Sequence, residues 1–392
     1  MFQHINRKGV LHFASRALLT SLLGVSAAAH AADINVGVIL PLSGPVAAQG
    51  QSTVEGLKAG MAYQDSVNGH QLKIIQLDDA SNPSMTTRNA RKLISQDKVD
   101  VLIGTSSVPG AMALATVSRE EQTPLISFTP IELKDDAASW AVTTTQSGPI
   151  MVSAVVDEMK RNGVKTVGYI GFSDAWGDVA YAALQKYAKE AGIEVVANER
   201  YARADNSVTA QVLKVIAANP DAVLGGGAGT PGALPYIGLH ERGYKGAIYG
   251  THAILSPEFV QLVGEAGEGL LVPTGPALVG KQLPADNPSK AIIEDYAKAY
   301  KTAHGEEPYD VFSAYAFDAW LVLVEAARKV PAGIEPGTPE YRTALRDAIK
   351  QTSELAGTEG VFSYAPDTAY GVTKDSVVIV KLENGEWSLQ QP

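Results

Sequence analysis

The chain has 392 residues, 45% of them hydrophobic and 19% charged, enough to bury the cores of two domains. Its formal net charge is −10, with acidic and basic residues interspersed, which argues against nucleic acid or an anionic membrane surface as partner. No cysteine is present, so neither a disulfide framework nor a lipid-attachment cysteine is expected.

The first predicted element is an export signal. Arg7, Lys8 and Arg16 accompany a small-residue, apolar run from Ala17 to Ala29, and Ala29-His30-Ala31 has the small-x-small form of a secretory cleavage site. That run is too short to span a bilayer comfortably. Residues 1–31 are therefore read as a cleaved signal, with a mature protein starting near Ala32 and free in the periplasm.

Short β-branched runs then alternate with amphipathic stretches. Strands are predicted at Ile34–Leu40, Leu72–Leu77, Val101–Ile103, Leu125–Phe128, Thr166–Ile170, Ala222–Leu224 and Ala247–Tyr249. Helical periodicity falls near 52–67, 84–96, 110–121, 150–161, 177–191, 207–217 and 232–242. Ser52-Thr53-Val54-Glu55 has the form of a capping box and places the start of the first helix after the Gly44-Pro45 turn. Such alternation specifies an α/β protein with a parallel sheet covered on both faces, and the length fits two of them.

The two halves carry a local echo. Asp100–Gly104 runs on to Pro109-Gly110-Ala111-Met112, and Asp221–Gly225 runs on to Pro231-Gly232-Ala233-Leu234. Each is a buried strand, a small-residue loop, and Pro-Gly opening a helix. Ligands of open α/β sheets bind beyond the carboxyl ends of strands, so two such loops would face one another across a cleft. The segment 273–308 is rich in proline and reads as a crossover, helices follow at 289–303, 313–329 and 339–351, and the tail has a strand at Val377–Lys381 with a turn at Asn384-Gly385. The chain is then expected to cross between lobes three times, with 33–146 plus 277–356 in one lobe and 147–276 plus 357–392 in the other.

Motifs for chemistry are weak. Gly227-Ala228-Gly229-Thr230-Pro231-Gly232 matches a dinucleotide fingerprint in letters, but no acid ends the next strand, at Tyr249-Gly250-Thr251-His252, and a proline interrupts the loop. Gly171-Phe172-Ser173-Asp174-Ala175 approaches a nucleophile elbow without its last glycine, and reads better as a turn capping the helix near Gly177. Asp78-Asp79 has no third metal ligand at suitable spacing. An enzyme, a metal and a cofactor are all unexpected.

In its order of motifs the chain resembles the leucine/isoleucine/valine-binding family of periplasmic ABC-transporter solute receptors, of the type I binding-protein fold. The marks are Ile34–Leu40 with Pro41-Leu42-Ser43-Gly44-Pro45, Gln76–Ala80, Asp100–Gly104, Thr123-Pro124-Leu125-Ile126-Ser127, Trp176-Gly177 and Gly267-Glu268-Gly269-Leu270-Leu271-Val272. The resemblance spans the mature chain. It implies two doubly wound lobes on a three-stranded hinge, closure on a small ligand, and a monomer that delivers its cargo to a membrane permease.

Carried over by position, the family's carboxylate-binding loops fall on Ser106, Ser107, Val108 and Thr129, where hydroxyls and helix-start amides suit an anion. The amine side departs from the pattern. The family's ammonium-binding acid falls on His252, its second-lobe tyrosine on Ala228 and its aromatic cover on Gln49, while Trp176 keeps an aromatic wall. Losing the partner of a buried ammonium costs roughly 2–5 kcal/mol, and each 1.4 kcal/mol is about tenfold in affinity. The expected ligand is therefore a carboxylate without an α-ammonium, best an aromatic or hydroxy-aromatic acid, with Tyr201, Tyr309 and Phe312 as possible extensions of the lining. A branched-chain amino-acid receptor, a periplasmic sensor module and, at greater distance, a serine hydrolase stay open as alternatives.

Overall fold

The computed structural model describes residues 32–390 except 132, 134–139 and 309, so the predicted signal segment 1–31 and Tyr309 lie outside the described residues. Two sheets organise the chain. The first is built from β1 (Ile34–Leu40), β2 (Ser66–Val67), β3 (His70–Asp78), β4 (Val101–Gly104), β5 (Leu125–Ser127) and β6 (Ala141–Thr143), in the order β2-β3-β1-β4-β5-β6. All its pairings are parallel except β2 with β3. The second contains β7 (Thr166–Phe172), β8 (Glu194–Tyr201), β9 (Ala222–Gly226), β10 (Ala247–Tyr249) and β11 (Leu271–Thr274). After the separate hairpin of β12 (Leu355–Gly357) and β13 (Gly360–Phe362), it is completed by β14 (Val378–Glu383) and β15 (Glu386–Leu389), in the order β15-β14-β11-β10-β9-β7-β8. Its two last strands are antiparallel additions to a parallel sheet. The fold is a two-lobed α/β architecture.

Helices cover both sheets. The first four are α1 (Ala47–Tyr63), α2 (Pro83–Ser95), α3 (Val108–Glu120) and α4 (Gly148–Arg161). They are followed by α5 (Ala175–Ala191), α6 (Thr209–Ala217), α7 (Leu234–Glu241) and α8 (Pro257–Val263), and then by α9 (Lys290–His304), α10 (Val311–Lys329) and α11 (Pro339–Lys350). Helix α10 is buried along almost its whole length and lies against α1. Gly56 and Gly60, one turn apart on α1, allow that approach: a Cβ at Gly56 would stand 2.0 Å from the Ser313 carbonyl oxygen, and one at Gly60 2.5 Å from the Trp320 ring.

One expectation fails locally. Ser52 does not cap α1; it lies inside a helix that begins a turn earlier, and the Thr53 hydroxyl donates back to the Gly50 carbonyl at 2.7 Å. The first turn has no side-chain cap. Instead, Val46 and Gln49 are buried and Gly50 N–H donates to Val46 at 3.2 Å, so tertiary packing sets the start where a cap motif would set it later.

Three segments pass between the sheets, and one carboxyl cluster touches all of them. Asp318 on α10 accepts from the backbone N–H groups of Thr358 (2.8 Å) and Glu359 (2.9 Å) in the β12–β13 turn. Gln146, on the link from β6 to α4, donates to the Glu359 carbonyl at 2.8 Å. The Glu359 carboxyl rests on Gly275, just after β11, where any Cβ would stand 1.8 Å from Oε2. A strap beyond β13 then runs along the first sheet, with Tyr370 bridged to Thr143. Neither Asp318 nor Glu359 is exposed. Burial pushes Asp318 up to about 7 and holds Glu359 well above the carboxylate range, with the charge of Asp318 adding to the latter.

A group whose pKa is raised on folding binds its proton more tightly in the native state, so its contribution falls as pH rises above the unfolded value. Glu359→Gln should therefore gain stability relative to the wild type as pH rises from 5 to 8, by up to about 1.4 kcal/mol per pH unit. Denaturation midpoints at both pH values would show this, and an identical difference at each would contradict it.

Candidate functional site

The carboxyl ends of the parallel strands in both sheets point at one small cavity. From the first sheet's side come Gln49 on α1, Ser106, Ser107 and Val108 between β4 and α3, and Phe128, Thr129 and Pro130 after β5. Helix α10 adds Phe312 and Tyr315. From the second sheet's side come Trp176 at the start of α5, Arg203 after β8, Ala228 after β9, and His252 and Ala253 after β10. All eight residues selected from the sequence thus lie on the wall of one cavity. Of the extensions, Phe312 lines it, while Tyr201 packs behind the wall with its hydroxyl on the Pro231 carbonyl.

The two walls are in contact. Gln49 Nε2 donates to the Ala253 carbonyl at 2.9 Å, and Val108 shares an apolar cluster with Phe172, Trp176, Ala228 and Ala253. The echoed loops after β4 and β9 therefore meet, through Val108 and Ala228, in a closed arrangement. Each opens a helix with its Pro-Gly, the first directly into α3 and the second through the 3₁₀ turn Thr230–Ala233.

The polar atoms divide into spent and unspent groups. Ser107 is the N-cap of α3, its Oγ accepting from Gly110 N–H at 3.3 Å, which leaves the hydroxyl proton free to donate. Thr129 Oγ1 donates to the Thr105 carbonyl, so its oxygen can only accept from a ligand. Ser106 Oγ, His252 Nδ1 and Tyr315 Oη are shielded from solvent and have no hydrogen-bond partner. Among the described residues His252 Nδ1 does not bond local backbone, although a strand-end histidine has that alternative. Burial moves its pKa down to about 4, so the ring is neutral at physiological pH.

Arg203 was not anticipated. Its Nε donates to Asp174 Oδ2 at 2.5 Å, and its guanidinium lies 4.3 Å from the Phe172 ring centroid. Asp174 Oδ1 meanwhile caps α5, accepting from Trp176 N–H (3.0 Å) and Gly177 N–H (3.2 Å). One carboxylate thus fixes both the aromatic wall and the cation, and the two Nη groups of Arg203 carry no hydrogen bond among the described residues. Among the described lining residues none is acidic.

The other motifs are accounted for elsewhere. Ser173 is exposed and is not among the lining residues. Asp78 accepts from Leu42 N–H, Ala80 N–H and the Ser43 hydroxyl, and Asp79 from the hydroxyls of Thr86 and Thr105, so both serve to hold loops. Gly227 offers its carbonyl to Trp176 Nε1 at 3.4 Å, which makes the glycine-rich loop part of the cavity wall.

The sequence matches the family described as periplasmic binding protein over residues 33–386. Among related proteins, Leu/Ile/Val-binding protein homolog 3 of Brucella melitensis is 23% identical over 367 residues, covering 91% of this chain and 93% of that one. An extracellular ligand-binding receptor from Rhodopseudomonas palustris has a similar structure, with a TM-score of 0.88 and 35% identity, over 92% of this chain and 100% of that one. A solute-binding protein of an ABC transporter from the same organism, in complex with benzoate, shares the fold with a TM-score of 0.76 and 22% identity, over 91% and 95% of the two chains.

The buried state of His252 has a measurable consequence. A histidine whose pKa is depressed on folding destabilises the native state as pH falls from its unfolded value near 6.5 toward 4. His252→Gln is expected to lose less stability than the wild type over that interval. Parallel acid-melting curves for the two proteins would refute the assignment.

Proposed function

The chain belongs to the periplasmic binding protein family, and from that premise we propose that its ligand is a small carboxylate lacking an α-ammonium, an aromatic or hydroxy-aromatic acid fitting best. A member of this family is a solute receptor, not an enzyme. It closes two lobes on a small molecule and presents it to the permease of an importer. Export through cleavage before Ala32 belongs to the same reading.

One observation carries the ligand class: the described wall holds a guanidinium with two uncommitted Nη groups and no carboxylate. An arginine fork matches a carboxylate in geometry and charge. An ammonium in the same space would meet a guanidinium already paired with Asp174 and a neutral imidazole, and no lining residue among those described could accept its charge. The hydroxyls of Ser106 and Ser107 supply further donors. Trp176, Phe128 and Phe312 offer apolar faces suited to a ring. Relatives of this fold include a protein named for leucine, isoleucine and valine and one holding benzoate, so the fold leaves the choice to the lining residues.

A thermal-shift panel tests the reading. Benzoate-type acids should raise the Tm of the mature protein by several degrees, and leucine and valine should leave it unchanged. A large rise with the amino acids alone would return the branched-chain reading. Arg203 provides the second test. Arg203→Gln should weaken binding of an aromatic carboxylate by about 30-fold or more, equivalent to about 2 kcal/mol. Arg203→Lys, which keeps the charge and loses the fork, should recover part of it, and calorimetry on both variants reads the difference.

A further inference from the structure

Two of the unpaired atoms at the cavity come from opposite walls. His252 follows β10 of the second sheet, and Tyr315 stands on α10, against the first. Their ring centroids are 6.2 Å apart and nearly perpendicular, at 83°, and no hydrogen bond joins them. His252 is 3% exposed and Tyr315 1%. His252 packs edge-on to Trp176 at 5.5 Å, and Tyr315 is one turn from Asp318, with its own carbonyl accepting from the Thr144 hydroxyl at 3.0 Å.

Buried polar groups without partners are costly, and one on the wall of a cavity is placed to be completed by what fills that cavity. We infer that His252 and Tyr315 form a hydroxyl-recognition subsite, so that among aromatic carboxylates this receptor selects those bearing a ring hydroxyl. The inference rests on the carboxylate reading above and adds the second functional group of the ligand.

The donor and acceptor inventory makes the choice specific. A neutral imidazole has one donating and one accepting nitrogen, and a tyrosine hydroxyl can do either. A ring hydroxyl also donates and accepts, so it satisfies one atom from each residue at once. A methoxy group only accepts, and an unsubstituted ring does neither. Sites built to hydrogen-bond a hydroxyl reject the analogue lacking it far more strongly than apolar pockets reject an added one. Because the two residues belong to different walls, the hydroxyl also ties the walls together, and its bonds exist only when the cleft is shut.

The experiment is a calorimetric series on the mature wild-type protein with benzoate, the three monohydroxybenzoates and 4-methoxybenzoate. At least one hydroxybenzoate should bind roughly 10-fold or more tightly than benzoate, and 4-methoxybenzoate should fail to reproduce the gain. In Tyr315→Phe, the ratio of hydroxybenzoate to benzoate affinity should fall toward one, with a ligand-free melting curve confirming that the variant folds. Equal wild-type affinities for benzoate and every hydroxybenzoate would overturn the subsite while leaving the carboxylate reading intact. A ratio unchanged in Tyr315→Phe would also overturn it. Failure of every aromatic acid to bind would overturn both.

Discussion

The structure depends on a carboxyl buried where three chain segments pass from one sheet to the other. Asp318 holds the β12–β13 turn by two backbone amides, and that turn in turn holds Gln146 and rests on Gly275. A hinge of three separate segments could let the lobes slide or splay. The three segments are joined to one another at the Glu359 turn, which α10 holds through Asp318. The requirement explains the residue types: Gly275 because nothing larger fits beside Glu359, and two acids kept toward their neutral forms because burial penalises their charge. Helix α10 is therefore at once the core of the first lobe, the anchor of the hinge and, through Phe312 and Tyr315, part of the cavity.

The same economy appears at the site. Asp174 spends one oxygen on the start of α5, which sets Trp176, and the other on Arg203. Without that pairing the guanidinium would be one flexible side chain among others. With it, the guanidinium is held over the Phe172 ring at the cavity wall, its Nη groups without a hydrogen bond among the described residues. Preorganisation of this kind reduces the ordering cost that ligand capture would otherwise carry.

Much of the fold was legible because its strands announce themselves. Ile34–Leu40 and Ala247–Tyr249 are continuous apolar runs of the kind parallel sheets bury on both faces, and both were located to the residue. β8 was not, because Glu194–Tyr201 carries Asn198, Glu199 and Arg200 on a sheet edge where neither face is fully covered. Missing that strand meant missing the loop beyond it, and Arg203 with it. The eight chosen wall residues came from loops after recognisable strands, or from positions a family pattern marks. Tyr315 had no such signal. In sequence it is one apolar position among many on a buried helix, and only the fold reveals that its hydroxyl has nowhere else to go.

The bond from Gln49 to the Ala253 carbonyl involves no ligand atom, yet it spans the two walls. Its strength contributes to the closed population in the absence of cargo, and apparent affinity scales with that population. Grip then has a contribution from contacts between the walls as well as from contacts with the cargo. Gln49 also lines the cavity, so a change there alters both the bond between the walls and the surface that a ligand meets. For a reporter that must work across a range of concentrations, sensitivity is then tuned best at contacts between the walls that face no ligand.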